Sequence, residues 1–153
     1  ILFSIHMSNG NISENKNTVM LEGYNRGALS SFIGYKVPLL DKENNPIYLE
    51  YKTADNLKNL IAAAAQDGYD ISINNGFRDN EEQKELYYHR HKKGIPIAKP
   101  GFSNHQRGTA IDIVGCTNNG KATPLYWWLR KNAHKFGFKN TVHLERWHWE
   151  YIE

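Results

Sequence analysis

Three side chains able to ligate one metal ion are divided between two short stretches of this chain, and any fold it adopts must bring them together. The first stretch, SNHQRGTAID at residues 103–112, carries His105 and Asp112 seven positions apart across Gly108. The second, ERWH at residues 145–148, carries His148 three positions after Glu145. A catalytic zinc takes three protein ligands from His, Asp, Glu or Cys and leaves a further position for water. Two imidazoles and a carboxylate satisfy that rule, leaving roughly one positive charge on the ion to polarise the water. Glu145 is then the spare carboxylate. On a strand, positions 145 and 148 point to opposite faces, so Glu145 is expected where a loop or bulge delivers the chain into the last strand. From there it can reach the water without displacing a ligand.

Hydrophobic spacing says which elements carry these residues. Leu57, Leu60, Ile61 and Ala64 follow one helical face in an alanine-rich segment closed by Gly68, which predicts a helix over residues 54–67. Residues 71–74 alternate as a strand, and Asp79 followed by Glu82 is a capping-box-like start for a helix over residues 80–92. Its end carries the basic run 89–93, which reads as a solvated helix terminus. A loop over 94–102 leads to a central strand over 109–114 with Asp112 facing inward. Thr123 and Pro124 open a helix whose stripe is Leu125, Trp128, Leu129, Ala133 and Phe136, and Gly137 ends it. The last strand, 147–152, returns His148 to the metal, with Trp147 packed into the core behind it. Before these, residues 1–18 read as a mobile arm, part of it a cloning scar at His6 and Met7, and residues 19–153 as one domain. Residues 19–40 read as irregular structure on the core, and 47–51 as a short strand. Helices segregated from a few antiparallel strands make this an α+β chain.

The residues Ser103, His105, Gly108, Ala110 and Asp112, followed by Glu145, Trp147 and His148, fill every fixed position of S-x-H-x-x-G-x-A-x-D and E-x-W-H. That pair of motifs resembles the VanY-type zinc D-alanyl-D-alanine carboxypeptidases, in the wider group with lysostaphin and the hedgehog signalling domain. The likeness continues upstream to Gly76, Phe77, Arg78 and Gln83, and covers roughly residues 54–151. It implies a small antiparallel sheet that carries one Zn2+ ion and is flanked by helices. It also implies a stem peptide of bacterial peptidoglycan as substrate, cut by removal of a terminal D-alanine in the D,D or L,D sense. Relatives that cut between L-alanine and D-glutamate, lysins and secreted toxins among them, carry nearly the same motifs. Arg78 takes the family's place beside the scissile carbonyl, where a guanidinium can stabilise the oxygen or clamp a carboxylate. Gln83 and Ser103 occupy positions near the peptide, where each can pair with its polar ends or serve as a cap or loop hydrogen bond. His143, two residues before Glu145, is placed to line the cleft or orient a ligand. The chain departs from the pattern at Asn74, Asn75 and Asp79, and with the bulky Phe102 and Arg107 inside the histidine motif. These changes bear on substrate preference and leave the ligands in place.

Other classes find less support. With Lys+Arg 19 against Asp+Glu 16, the basic excess is too small and too scattered to call for nucleic acid. The helical H-E-x-x-H of common metalloproteases is absent. No apolar run approaches the length of a membrane span, and ILFSIHM at the start is too short for the apolar core of a secretory signal. Extracytoplasmic action is therefore expected by another export route or after removal of a leader. The single Cys116 permits no intrachain disulfide. The alternative of a different class is a non-catalytic, zinc-stabilised binding module. Glu145 and Arg78 speak against it, because a purely structural site needs neither a base nor an oxyanion donor.

Overall fold

A computed structural model describes the backbone of residues 5–8 and 11–14 and the whole of residues 17–153. The arm expected over residues 1–18 lies partly outside the described residues. Within it, β1 (Ile5–Ser8) and β2 (Asn11–Glu14) pair as a hairpin.

Residues 19–40 differ from the expected irregular structure. They form β3 (Thr18–Asn25) and β4 (Ala28–Leu40), an antiparallel pair in continuous register, with β5 (Pro46–Leu49) on the other edge of β4. The turn between β3 and β4 consists of Arg26 and Gly27, at φ 49° and 83°. Positive φ at both central residues is the turn that matches strand twist, and an Arg-Gly pair hides that signal because arginine seldom adopts it. Pro38, which has no N–H to donate, falls within the register shift between β4 and β5.

Helix α1 (Tyr51–Gln66) begins three residues before its expected start. The Glu50 carboxylate accepts from the backbone N–H groups of Lys52 and Thr53, satisfying two donors of the first turn. Leu57, Leu60 and Ala64 then face the core as their spacing requires. Next come β6 (Ile73–Asn75) and α2 (Asn80–Lys92), the latter capped by Asp79 accepting from Glu82 N–H at 2.8 Å. A short 3-10 turn at Asn104–Arg107 leads into β7 (Ala110–Ile113). A small hairpin of β8 (Thr117–Asn118) and β9 (Lys121–Ala122) follows. Helix α3 (Pro124–Asn132), capped by Thr123, tightens into a 3-10 turn at Ala133–Phe136, and β10 (Phe138–Lys139) and β11 (His148–Tyr151) complete the chain.

The second sheet has the order β10-β11-β7-β6, antiparallel throughout. Its two faces explain the split character of the motifs. In β7 and β11 the pairs are His148 with Asp112, Trp149 with Ile111 and Glu150 with Ala110. Alternation therefore sends His148 and Asp112 to one side and Trp149, Ile111 and Ile113 to the other. Those three join Leu49, Leu57, Leu60, Ile73, Leu129 and Phe138 in the core. Trp147 does not share it: 39% exposed, it stands in the turn before β11, and Trp149 is the buried indole expected behind His148. The molecule is an α+β domain, as the pattern of elements indicates.

Candidate metal centre

The polar face of β7 and β11 gathers His105, Asp112 and His148 into one buried cluster, their candidate ligand atoms all within 4.8 Å of one another. His105 arrives from the 3-10 turn, which Ser103 caps by accepting from the His105 N–H at 3.3 Å. Gly108 ends that turn at φ 72°, and a Cβ there would stand 2.7 Å from the Phe32 ring, so only glycine fits. The motif's spacing thus has a local cause: the chain must reverse tightly between its two ligands.

Asp112 Oδ1 lies 3.2 Å from His105 Nε2 and 3.5 Å from His148 Nδ1. Its other oxygen accepts from Asn75 Nδ2 at 3.0 Å. The register shift between Ile73 and Asn75 sets Asn75 opposite Asp112, which makes that bond possible. On the far side of the His105 ring, Nδ1 donates to the Gly76 carbonyl at 2.8 Å. A neutral imidazole that donates at Nδ1 presents a lone pair at Nε2. A lone pair cannot hydrogen-bond a carboxylate, and Asp112 Oδ1 is buried with no hydrogen-bond partner. Two imidazoles converging on an unpaired, buried carboxylate oxygen form a site for a cation, and that donor set suits zinc better than calcium or magnesium.

The remaining expected residues differ in burial and in the partners they hold. Glu145 is half-buried in the loop that enters β11, as its position relative to His148 requires. That loop is held by Asn140, whose Nδ2 donates to the carbonyls of both Glu145 and His148, at 2.8 and 2.7 Å. Arg78 is half-buried, and burial lowers its pKa while Asp112 and Glu145 pull it back, so it stays cationic and in electrostatic range of both. Gln83 has no exposed surface and both ends of its amide are engaged. It accepts from Arg78 Nη1 at 2.9 Å and donates to the Ala98 carbonyl at 2.7 Å. Gln83 therefore touches Arg78, and contact with a ligand would pass through that guanidinium. Ser103 is half-buried, whereas His143 sits on an exposed turn with no side-chain hydrogen bond among the described residues.

Several supporting groups gave no sequence signal. Asn75 reads only as a departure from a motif, and nothing in the sequence singles out Asn140. Glu150, on the same face as His148, accepts from Arg107, Asn104 and Thr141 and ties the histidine loop to the last strand. The alternation of His148 and Glu150 was the one cue available.

Comparison with known proteins agrees with this geometry. The sequence model of a family described as D-alanyl-D-alanine carboxypeptidase, VanY, matches residues 46–153. The peptidoglycan L-alanyl-D-glutamate endopeptidase CwlK of Bacillus subtilis is 48% identical over 89 residues, covering 56% of this chain and 50% of its own. Among solved structures, the LD-carboxypeptidase LdcB superposes with a TM-score of 0.64 at 28% identity, covering 76% of this chain and 66% of its own. The vancomycin-resistance D,D-pentapeptidase VanY, crystallised in complex with Zn(II), gives 0.58 at 27% identity, covering 76% and 79%. The chain spans about half the length of the curated relatives it matches.

Proposed function

Because the chain belongs to the VanY family of D-alanyl-D-alanine carboxypeptidases, we propose that it is a zinc-dependent peptidase acting on peptidoglycan stem peptides, most simply as a D-alanyl-D-alanine carboxypeptidase of the D,D or L,D type. The observation that carries this reading is the buried convergence of His105, Asp112 and His148, with the Asp112 Oδ1 facing both rings and unpaired. These three would hold one Zn2+ ion, and a zinc-complexed relative of the same fold supports that choice. Bound there, zinc supplies Lewis acidity that makes water a nucleophile near neutral pH.

The chain's own groups supply the rest. Glu145 accepts the proton of the attacking water and delivers it to the departing amine nitrogen, so that one peptide bond and one water become a carboxylate and an amine. Arg78, held in place by Gln83, stabilises the oxygen of the scissile carbonyl or clamps a substrate carboxylate. Ser103, which caps the turn that carries His105, and His143, on an exposed turn two residues before Glu145, are the candidate peptide contacts. The substrate places the action outside the cytoplasmic membrane, and among the described residues no helix is long and apolar enough to cross one.

A second reading is favoured by the 48% identity to CwlK over 89 residues: an endopeptidase that cuts between L-alanine and D-glutamate. Mass spectrometry of purified muropeptides with tri-, tetra- and pentapeptide stems, incubated with zinc-loaded and with chelated protein, separates the two. Loss of one alanine from the pentapeptide marks the D,D-carboxypeptidase, loss from the tetrapeptide the L,D type. Release of the stem after L-alanine marks the endopeptidase. Zinc binding with no product from any stem would leave the binding module standing instead.

A further inference from the structure

Beyond the metal-bearing face, the tip of the β3–β4 hairpin and the loop that precedes His105 border an open surface pocket of about 230 Å³. Tyr24, Asn25 and Arg26 face Ser103, Asn104 and Arg107 across it. The tip is docked. Gly27 N–H donates to the Gly101 carbonyl at 2.9 Å, and the Phe102 ring lies so close over Gly27 that a Cβ there would meet it at 2.9 Å.

The pocket is polar and has no acidic residue in its lining. Arg107 is fixed by Asn104 and by the buried Glu150, at 2.8 and 2.6 Å, so that its charge is matched inside the protein. Arg26 makes no ion pair among the described residues. Its backbone is committed to the positive φ of a two-residue turn, which sets the side chain on a short, anchored tip. A guanidinium free of any ion pair among the described residues, beside amide, hydroxyl and phenol groups, is suited to an anionic oxygen pair. The pocket also adjoins the metal cluster's own turn, because Ser103 lines it and caps the turn that carries His105.

We propose that this pocket is a second recognition site, in which Arg26 binds a carboxylate of the substrate peptide remote from the bond that is cut. The proposal rests on the reading of the chain as a stem-peptide hydrolase. The sequence match to the family begins at residue 46, so Arg26 and its hairpin lie outside the matched segment. Specificity for the substrate's anionic groups is thus carried by a part of the chain that the shared motifs do not include.

The test compares two synthetic stem peptides that differ only in whether their internal carboxylates are free or amidated, with the C-terminal carboxylate free in both. Zinc-loaded wild type is assayed beside Arg26→Asn, which tolerates the turn's positive φ, and Arg26→Lys, which keeps the charge. The wild type is expected to favour the free peptide by about tenfold in kcat/KM, mainly through KM. Arg26→Asn abolishes that preference while cleaving the amidated peptide at the wild-type rate, and Arg26→Lys keeps most of it. Equal cleavage of both peptides by the wild type, an undiminished preference in Arg26→Asn, or equal losses on both peptides would each overturn the inference and leave the hydrolase reading intact. Cleavage of neither peptide by the wild type would overturn both.

Discussion

Asn140 carries no charge and reaches no ligand, yet its amide holds the carbonyls of Glu145 and His148 together. The duties proposed for those residues differ, proton transfer and metal ligation, and one side chain holds the loop that carries both. Asn140→Ala should lower zinc affinity and kcat together, each by about tenfold, since two neutral hydrogen bonds contribute on the order of 1 kcal/mol apiece. Competitive chelator titration and steady-state kinetics check this. Asn140→Asp should not rescue, because a carboxylate cannot donate. Asn75, which donates to the outer oxygen of Asp112, should behave differently. Its replacement by alanine is expected to weaken zinc binding by roughly 10- to 100-fold, the usual effect of losing a partner that orients a ligand. Glu145→Ala is expected to cut kcat by about 10² to 10⁴ while zinc stoichiometry, read by atomic emission, stays at that of the wild type. Parallel loss of zinc would show instead that Glu145 is a ligand.

Among the elements, β11 shows how one short strand serves core and site at once. Trp149 is 2% exposed and Trp147 39% exposed, although both lie within one turn of His148 in sequence. Trp149→Ala should cost about 3–5 kcal/mol, and Trp147→Ala within about 1 kcal/mol. Urea unfolding of the two proteins measures the contrast, and equal losses would mean that the turn before β11 is packed rather than open. Helix α1 offers a second case. Its early start depends on the Glu50 carboxylate, a residue that ordinary capping rules rank below Ser, Thr, Asp and Asn. The β3–β4 hairpin is a third, since its Arg26-Gly27 turn lacks the Asn-Gly or Asp-Gly signature and its glycines obscure the strand period.

Across the molecule, the sheet separates a dry face from a polar one, and Cys116 belongs to the dry side. Burial pushes its thiol up to about 11, so it keeps its proton while the same thiol in an unfolded chain ionises near 9.0. The folded state then binds the extra proton, and stability falls as pH rises from about 9 toward 11. A thiol reagent at pH 8 should leave the native protein unmodified and label it fully in denaturant. The metal acts on the whole fold in the opposite direction. Because the proposed zinc ligands come from the 3-10 turn, β7 and β11, an ion bound only by the native state should stabilise it by about 2.7 kcal/mol at free zinc a hundredfold above Kd. Chelation should lower Tm accordingly, and an unchanged Tm would mean that the cluster does not hold the ion.

Much of this was legible in the order of residues because the causes are local. The period of Leu57, Leu60 and Ala64, the Asp79 and Thr123 caps, and the fixed spacing of His105, Gly108 and Asp112 each depend on neighbours within a few positions. The motifs drew the three ligands together before any coordinates did. What needed the folded chain was every relation between distant segments. The direct pairing of His148 with Asp112 depends on the register of β7 and β11. The places of Asn75 and Asn140 depend on a bulge and on loop closure, and the engagement of Gln83 with Arg78 on the loop that supplies the Ala98 carbonyl. The pocket at Arg26 requires that a hairpin from the first quarter of the chain dock on the histidine loop. Periodicity and spacing report on backbone geometry over a turn or a strand. Contacts across the chain are set by packing, where many sequences share one local pattern and only the assembled core selects the partner.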